Sequence, residues 1–412
     1  MKPKYVEELE QGFTPLTVCE EASRCLLCLD APCSKACPAG TDPGKFIRSV
    51  RFRNFKGAAE TVRENNALGA ICARVCPTEK YCQLGCSRSG IDKPIDIGKI
   101  QRYITDFEES IGMDILRIEN EDNGKSIGIV GSGPSALQAS VELRKLGYKV
   151  VVYEKEEKLG GTLRLIPEYR LPDRIIDVEI ERIKKIGVEF KTKVNVGKDI
   201  SLEEIKNRHD AIIIAAGFSK GKCLDLFKNN DNVEIAFDFL KRIKEGKGKE
   251  KVSNNILVIG GGDVAMDVNT TLKLLGCKNV TDVVYEEFCE FKASKKELES
   301  AQRLGVSIID GYVPIEVNNK EVVFKHRVLD ACLKIIADKI ILAVGQYADV
   351  ENLNLKLVKG EVNSKDVYLT DDPKVFVAGD LAHSPYDKTV VGGVRTGKEV
   401  AHLIDSKLGG KK

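Results

Sequence analysis

The stretch that decides the fold reads Ser126-Ile-Gly-Ile-Val-Gly-Ser-Gly-Pro-Ser-Ala136. Its apolar first half is typical of a short strand, and a helical pattern follows the glycines. Gly131 permits the tight turn, Gly133 lets the backbone approach a pyrophosphate, and the small Ala136 allows close packing of helix on strand. The sequence therefore predicts a dinucleotide-binding βαβ unit.

An acidic residue completes this first motif. The next strand pattern, Lys149-Val-Val-Val-Tyr153, is followed by Glu154, about 20 residues beyond the turn. A carboxylate there is placed to accept hydrogen bonds from ribose hydroxyls, while the phosphates would lie on the N–H groups at the helix start. The alternative is an ordinary glycine-rich turn that binds nothing.

A second motif of the same kind follows. Gly260-Gly-Gly-Asp-Val-Ala265 lies between the strand pattern Asn255–Ile259 and a helix, and the next strand pattern ends at Tyr285. Glu286 comes directly after it, and an acidic side chain there favours the 2′-hydroxyl of NAD over the 2′-phosphate of NADP. Lys292 is the nearby cation that would favour NADP. We expect NADH to bind here.

Two late patterns carry a weaker signal. Val375-Phe-Val-Ala-Gly-Asp380 is an apolar strand pattern ending in an acidic residue, which is able to accept hydrogen bonds from a polyol. Gly392-Gly393 precede a predicted helix whose N-terminal end would favour an electron-rich ring. Ordinary strand–loop punctuation explains both patterns equally well.

The cysteines are concentrated near the N-terminus, where nine of the 13 fall between Cys19 and Cys86. The first group is Cys25-x2-Cys28-x4-Cys33-x3-Cys37-Pro, and the second is Cys72-x3-Cys76-Pro followed by Cys82 and Cys86. A terminal Cys-x3-Cys-Pro is the end of the bacterial ferredoxin run, so the spacing favours two 4Fe–4S clusters. Structural zinc and inert thiols are the alternatives.

Charge and hydropathy exclude several classes of function. Lys and Arg number 64 and Asp and Glu number 62, so the formal net charge of the 412 residues is +2. This balance gives no broad electrostatic footprint for nucleic acid or an anionic membrane. With no signal-peptide core and no run of ~18 apolar residues, we expect a cytoplasmic, reducing location, where clustered thiols indicate metal ligands sooner than disulfides.

Taken in order, these motifs resemble a known family, the flavin- and cluster-bearing subunit of bacterial NAD-dependent dihydropyrimidine dehydrogenase of the PreT type. The most distinctive stretches are Glu21–Cys28, Asp42–Arg48, Phe52–Glu60 and Ile256–Asp267. The resemblance covers about residues 5 to 405 and extends to the N-terminal half of the animal enzyme and to the glutamate synthase small subunit.

The resemblance implies which residues hold the two clusters. The first cluster would take Cys25, Cys28, Cys33 and Cys86, and the second would take Cys37, Cys76, Cys82 and Gln101. Cys72 would then be a bystander, although spacing alone makes it a ligand.

The resemblance also implies an α/β fold in which a helical iron–sulfur domain is followed by Rossmann-like FAD and NAD domains. The expected segments are residues 1–118 (two clusters), 119–221 and 349–412 (FAD) and 222–348 (NAD). The FAD residues would be Gly131, Gly133, Pro134, Ala136, Glu154, Gly161, Gly379 and Asp380. The NAD residues would be Gly260, Gly262, Asp263, Val264, Ala265, Glu286 and Lys292.

The expected function follows from this resemblance. The chain would oxidise NADH with FAD and send electrons through the clusters to a partner subunit that holds FMN, resembles PreA and reduces uracil or thymine. No residue of this chain is expected to act as an acid or base on the pyrimidine. The rivals are a glutamate synthase small subunit, a ferredoxin-linked transhydrogenase subunit, and a zinc-containing nucleotide sensor or docking module.

Overall fold

A computed structural model describes residues 4–118, 120–353, 355–358, 360–362 and 367–409. The chain divides into two compact units: the larger holds residues 10–163, 173–217 and 348–409, and the smaller holds residues 4–9, 164–172 and 218–347. The four predicted segments remain predictions, and their ends at residues 1, 119 and 412 lie outside the described residues.

The N-terminal part of the larger unit is helical, as the sequence predicts. Its helices are α1 (Pro15–Ser23), α2 (Pro32–Lys35), α3 (Pro43–Arg51), α4 (Phe55–Asn65), α5 (Gly69–Val75) and α6 (Ile97–Ser110). Polar side chains begin several of them: Asp42 accepts a hydrogen bond from the Lys45 N–H, and Asn54 accepts one from the Gly57 N–H. The helices share a core that includes Phe46, Val62 and Ile104, all fully buried.

The rest of the chain alternates strands and helices. The strands are β1 (Ser126–Val130), β2 (Lys149–Tyr153), β3 (Val188–Lys191), β4 (Ala211–Ile214), β5 (Lys220–Gly221), β6 (Val233–Ile235), β7 (Asn255–Ile259), β8 (Asn279–Val283), β9 (Ser307–Ile309), β10 (Tyr312–Asn318), β11 (Glu321–His326), β12 (Cys332–Ile336), β13 (Lys339–Leu342), β14 (Gln346–Tyr347), β15 (Leu357–Val358), β16 (Glu361–Val362) and β17 (Val375–Val377). The helices are α7 (Pro134–Lys145), α8 (Asp173–Lys185), α9 (Leu202–Arg208), α10 (Ala236–Glu245), α11 (Asp263–Leu274), α12 (Lys295–Arg303) and α13 (Val390–Leu408).

A parallel sheet of order β17-β4-β1-β2-β3 forms the nucleotide-binding part of the larger unit. Its central strands are continuous apolar runs because helices cover both faces of such a sheet. In doubly wound sheets, ligands bind beyond the carboxyl ends of the strands. The end of β1, where the first glycine turn begins, is such a position.

The smaller unit repeats the plan with a parallel sheet of order β6-β13-β7-β8-β9 and an antiparallel sheet β10-β11-β12. The predicted second βαβ unit is confirmed as β7, α11 and β8. One element prediction is wrong: Gly392 and Gly393 lie inside the first turn of α13 rather than before a helix, because Thr389 caps that turn by accepting a hydrogen bond from the Gly392 N–H.

Among the helices of the described ranges, none has the length and apolar character needed to cross a membrane.

Candidate functional site

Three cysteines of one short stretch and a fourth from far along the chain line one cavity. Cys25, Cys28, Cys33 and Cys86 line it, and its remaining wall is largely apolar, with Ile47 among the contributors. Leu27, between the first two thiols, has φ of 55°, a left-handed bend that turns this short loop back on itself. Burial, followed by the proximity of Cys86 and Cys25, raises the pKa of the Cys33 thiol to about 11.

The second cysteine group is more deeply enclosed. Burial raises the pKa of the Cys76 thiol, and the neighbouring Cys72, Cys82 and Cys37 raise it further, so these four side chains lie close together. Cys76 leaves α5 in an extended conformation because Pro77 follows it, which disfavours a helical residue at this point.

Gln101 contacts the start of the helix that carries Cys72. Its side chain is buried on α6, and its Nε2 donates a hydrogen bond to the Gly69 carbonyl oxygen at 2.8 Å, at the start of the helix that carries Cys72. With the nitrogen engaged, the amide oxygen Oε1 is the atom that could bind iron. The choice between Cys72 and Gln101 as the fourth ligand remains a prediction.

The donor set fits iron–sulfur clusters. Across the described part of the chain, no three His, Cys, Asp or Glu side chains converge as the ligands of a single metal ion do. In a 4Fe–4S cluster each thiolate binds a different iron atom, so the ligands surround a cavity instead of meeting at one point. The cavity lined by Cys25, Cys28, Cys33 and Cys86 has that arrangement.

The first glycine turn forms an open cradle at the start of α7. Gly131 has φ of 99°, and a Cβ on it would lie 2.5 Å from the Ala215 carbonyl oxygen, so no other residue fits. Gly133 is the N-cap of α7 and offers no side-chain cap, and nothing lies within 4 Å of the position its Cβ would take. The N–H groups at this helix start are therefore available to phosphate oxygens.

Glu154 is held rigidly beside that cradle. The Ser132 hydroxyl donates to Glu154 Oε2 at 2.5 Å, and the Glu156 N–H donates to Oε1 at 2.9 Å. The Gly160 N–H donates in turn to Ser132 Oγ at 3.0 Å. The next residue, Gly161, packs against the glycine turn, since a Cβ on it would lie 3.2 Å from the Gly133 Cα. Sequence reasoning missed the role of Ser132, whose position between two motif glycines gives no signal of its own.

The end of β17 contributes to the same place. A Cβ on Gly379 would lie 2.6 Å from Ser135 Oγ, which places Asp380 close to the start of α7. Burial raises the pKa of the Asp380 carboxyl, although Lys388 opposes the shift. The structure thus brings together the predicted flavin residues from three separate stretches: Gly131, Gly133, Pro134, Ala136, Glu154, Gly161, Gly379 and Asp380.

The second glycine turn has the same open cradle in the smaller unit. Gly262 is the N-cap of α11, it has no side-chain cap, and the space around its missing Cβ is open. A Cβ on Gly261 would lie 3.0 Å from Glu286 Oε2, so this carboxylate reaches the turn. The Lys292 ammonium lies 2.7 Å from Glu286 Oε1. Burial alone would raise the pKa of the Glu286 carboxyl. The hydrogen bond and charge of Lys292 have the larger combined effect, so the pKa lies below its usual value.

The other predicted residues of this turn have structural surroundings. Asp263 Oδ1 accepts a hydrogen bond from the Ser294 N–H at 2.6 Å, Ala265 is fully buried, and Val264 is half-buried. Asp263 thereby holds the N-cap residue of α12 at the start of α11, and the start of α11 has no side-chain cap.

Sequence reasoning also missed a buried ion cluster behind the second turn. Arg170 lies 2.6 Å from Asp267 Oδ1 through Nη1 and 3.1 Å from Glu297 Oε1 through Nε. Burial raises the pKa of the Asp267 carboxyl, and Arg170 opposes that shift. The cluster fastens residues 164–172 to α11 and α12, and the prolines that bracket Arg170 were the available signal.

Two family models match the chain. The model described as dihydropyrimidine dehydrogenase domain II, 4Fe-4S cluster, matches residues 2–113, and the model for pyridine nucleotide-disulphide oxidoreductase matches residues 125–402. Among characterised relatives, the NAD-dependent dihydropyrimidine dehydrogenase subunit PreT of Escherichia coli K12 is 54% identical over 98% of each chain. Its homolog from Salmonella typhi is 55% identical over 98% of this chain and 97% of the relative.

Solved structures share the fold of the nucleotide-binding part. FprA from Mycobacterium tuberculosis has a TM-score of 0.58 at 17% identity, covering 69% of this chain and 85% of that chain. Lactococcus lactis thioredoxin reductase has a TM-score of 0.54 at 20% identity, and the match covers 68% of this chain and 98% of that chain. These similarities show the fold alone, and that fold agrees with the predicted α/β class.

Proposed function

Because the chain belongs to the family of PreT subunits of NAD-dependent dihydropyrimidine dehydrogenase, we propose that it is the electron-input subunit of such an enzyme. The chain is an oxidoreductase with a 4Fe–4S domain followed by an FAD- and NAD-linked oxidoreductase domain. The match to a 4Fe–4S domain favours clusters over the zinc alternative.

One observation carries the proposal: Cys25, Cys28, Cys33 and Cys86 surround a single cavity in the same compact unit as the first glycine turn. A nucleotide-binding flavoprotein domain and a cluster domain that belong to one compact unit suit the transfer of electrons from a two-electron donor to one-electron carriers.

In this proposal FAD lies on the cradle at the start of α7. The uncapped N–H groups after Gly133 bind its pyrophosphate, and Glu154 accepts hydrogen bonds from the ribose hydroxyls. Ser132 and the Glu156 N–H orient that carboxylate before the cofactor arrives, so little ordering is left to be done on binding. Asp380, close to the start of α7, would accept a hydrogen bond from a polyol hydroxyl.

NADH lies on the second turn. The N–H groups after Gly262 bind the pyrophosphate, and Glu286 accepts a hydrogen bond from the 2′-hydroxyl of the adenosine ribose. A 2′-phosphate would meet the Glu286 carboxylate at close range. Lys292 gives that phosphate little help because its ammonium is already paired with Glu286.

Two clusters complete the chain of carriers. The first is held by Cys25, Cys28, Cys33 and Cys86, and the second by Cys37, Cys76, Cys82 and Gln101, with Cys72 beside it. When bound, FAD would supply a two-electron acceptor for NADH, and the clusters would supply one-electron transfer. The residues of this chain bind and orient these groups and exclude water from them.

The final reduction belongs to a partner. A PreA-like subunit holding FMN would add two electrons and two protons across the 5,6 double bond of uracil or thymine, while NADH and one proton become NAD⁺. The PreT relatives are named as subunits, which supports a complex of more than one kind of chain.

The test is anaerobic co-purification of the chain with its FMN-containing partner, followed by an assay of NADH-dependent loss of uracil absorbance. We expect uracil and thymine to be consumed, one NADH for each pyrimidine. NADH-driven formation of glutamate without pyrimidine loss would contradict the proposal and point to a glutamate synthase small subunit.

A further inference from the structure

The loop that follows Cys37 surrounds the sulfur of that cysteine with hydrogen-bonding groups. We call residues 37–41 the Cys37 loop. The Gly40 N–H donates to the Cys37 carbonyl oxygen at 3.0 Å, which closes a turn, and Gly40 has φ of 66°. Within the Cys37 loop, the Thr41 N–H donates to Cys37 Sγ at 3.5 Å, and the Thr41 hydroxyl oxygen also lies 3.5 Å from that sulfur. Thr41 is buried, so its polar atoms face the sulfur rather than water.

Asn66 determines which way the Thr41 hydroxyl points. Its Nδ2 donates to Thr41 Oγ1 at 3.4 Å, and the Leu68 N–H orients the amide by donating to Asn66 Oδ1 at 2.9 Å. A cysteine that binds iron is a thiolate and has no proton to give. The Thr41 hydroxyl is then the donor, and because its oxygen already accepts from Asn66, its proton points toward the sulfur of Cys37.

Lys398 brings a positive charge to the Cys37 loop from α13. Its Nζ donates to the carbonyl oxygen of Ala39, inside the loop, at 3.0 Å, and to that of Asn65, directly before Asn66, at 2.9 Å. One ammonium thus holds together the Cys37 loop and the segment that orients the hydroxyl.

The charge of Lys398 is not cancelled by a hydrogen-bonded carboxylate. In the described part of the chain, both of its hydrogen-bond partners are neutral carbonyl groups. Burial lowers the pKa of the Lys398 ammonium, and Glu142 opposes that shift most strongly, although it is itself paired with Lys145 at 3.7 Å. Cys37 opposes the shift as well, so the ammonium and a negative charge on the Cys37 sulfur attract each other.

These contacts bear on the redox properties of a cluster bound at Cys37. Reduction adds one negative charge to a 4Fe–4S cluster, and its potential depends on net charge and on hydrogen bonds to the sulfurs. A positive charge and hydrogen-bond donors beside one ligand therefore stabilise the reduced state more than the oxidised state. Ala39 and Thr41 are buried, so salt and water screen these interactions little.

We propose that Lys398 and Thr41 raise the reduction potential of the cluster that Cys37 binds. This inference rests on the proposed function, in which Cys37 is a ligand of the second cluster. Neither Lys398 nor Thr41 is a ligand, and both act through Cys37 as positioning residues. Since α13 packs against α7 at the flavin cradle, the charge that favours an electron on this cluster is carried by a helix of the flavin-binding part of the larger unit.

The test is an anaerobic redox titration of the full chain with its cofactors, followed by electron paramagnetic resonance. Iron, sulfide and flavin are measured on the same samples, and Cys82→Ser identifies the signal of the second cluster because it removes one of its proposed ligands. The variants are Lys398→Met and Thr41→Val, and Lys398→Arg and Thr41→Ser keep the charge and the hydroxyl. The matched control is Lys407→Met, which removes the same charge from an exposed position of α13 about 13 Å further along the helix.

We expect Lys398→Met to make reduction of the second cluster about tenfold less favourable, which lowers its potential by about 59 mV for one electron. The iron content and the potential of the first cluster should stay as in the wild type. Thr41→Val should lower the same potential, while Lys398→Arg, Thr41→Ser and Lys407→Met should leave it unchanged.

An unchanged potential of the second cluster in both Lys398→Met and Thr41→Val would overturn the inference alone. An equal shift of both clusters would also overturn it, because a general disturbance of the fold acts on both. If Lys398→Met loses the second cluster, Lys398→Gln gives the same comparison, since it keeps a donor without the charge. A wild-type chain that holds neither iron nor sulfide would sink the proposed function, and the inference with it.

Discussion

We propose that the choice of nucleotide depends on Glu286. Its carboxylate reaches the backbone of the second glycine turn and pairs with Lys292 at 2.7 Å. A single charged group at this position is enough to set the preference between NADH and NADPH, because a tenfold difference in affinity corresponds to only about 1.4 kcal/mol of binding free energy.

We predict that Glu286→Gln raises the ratio of kcat/KM for NADPH to that for NADH by about tenfold, since it removes a repulsive charge from beside Lys292. Steady-state kinetics with ferricyanide as acceptor measure the ratio. Glu290→Gln is the control, because Glu290 is exposed and pairs with Arg327 instead. An unchanged ratio in the Glu286 variant would show that another group selects the nucleotide.

The second cluster depends on a choice between Gln101 and Cys72. We predict that Gln101→Ala loses about half of the chain's iron, about four atoms of eight, because in the proposed assignment the amide oxygen of Gln101 completes the second cluster. Cys72→Ala and the control Cys19→Ala should keep all of it. Anaerobic iron and sulfide assays measure the content, and loss of iron from the Cys72 variant alone would refute the assignment.

Among the elements, α7 and α13 form the closest helix contact at the flavin cradle. Gly397 makes the contact possible, because a Cβ there would lie 2.4 Å from the Ser135 carbonyl oxygen and 3.0 Å from the Ala139 nitrogen. Gly393 is similar, with a Cβ position 3.2 Å from the Pro134 Cβ. The start of α7, where phosphate would bind, is therefore positioned by glycines on another helix.

We predict that Gly397→Val lowers the free energy of unfolding by about 1–3 kcal/mol, because the added side chain must push α13 away from α7. The same displacement should reduce the FAD retained on purification. His402→Val places the same side chain at an exposed position of α13 and should change stability by less than about 0.5 kcal/mol. Denaturant unfolding and flavin absorbance measure both effects, and equal behaviour of the two variants would contradict the steric argument.

At the scale of the whole molecule, a buried charge network joins the cluster helices to the flavin domain within the larger unit. Arg63 on α4 donates to Glu108 on α6, at 2.7 Å from Nη2, and to Glu179 on α8, at 2.7 Å from Nη1. All three side chains are nearly inaccessible to water. Burial opposes the charge on Arg63, but Glu179 and Glu108 outweigh it and raise the pKa of the guanidinium.

We predict that Arg63→Met destabilises the larger unit by about 3–5 kcal/mol, because Glu179 would lose its ion pair with Arg63 in a buried site and Glu108 would keep only its pair with Arg182. The control is Lys45→Met, which breaks the exposed pair with Glu64 and should cost less than about 1 kcal/mol. Urea unfolding of the apoprotein measures both. If both variants lost less than about 1 kcal/mol of unfolding free energy, the prediction would be wrong. Water or Arg182 would then compensate for the missing charge of Arg63.

Much of the architecture follows from local sequence. The glycine turns after β1 and β7 are readable because tight turns and phosphate cradles require glycine at fixed positions, and the structure places them as predicted. The family resemblance, carried by motifs in a fixed order, is confirmed at 54% identity over nearly the whole chain. The position of Gly392 was misread because a glycine in the first turn of a helix and a glycine before it look alike in sequence.

What the sequence by itself determined is the kind of chemistry: thiols at cluster spacing, two nucleotide turns, and an acidic residue after each. Tertiary structure alone decided which of these groups meet, such as Cys86 with Cys25, Cys28 and Cys33, Ser132 with Glu154, and Arg63 with Glu108 and Glu179. The physical reason is the distance along the chain over which each kind of interaction acts. Turn and cap preferences act over a few neighbouring residues, whereas burial and ion pairing join side chains more than 40 residues apart, as Arg63 and Glu108 are.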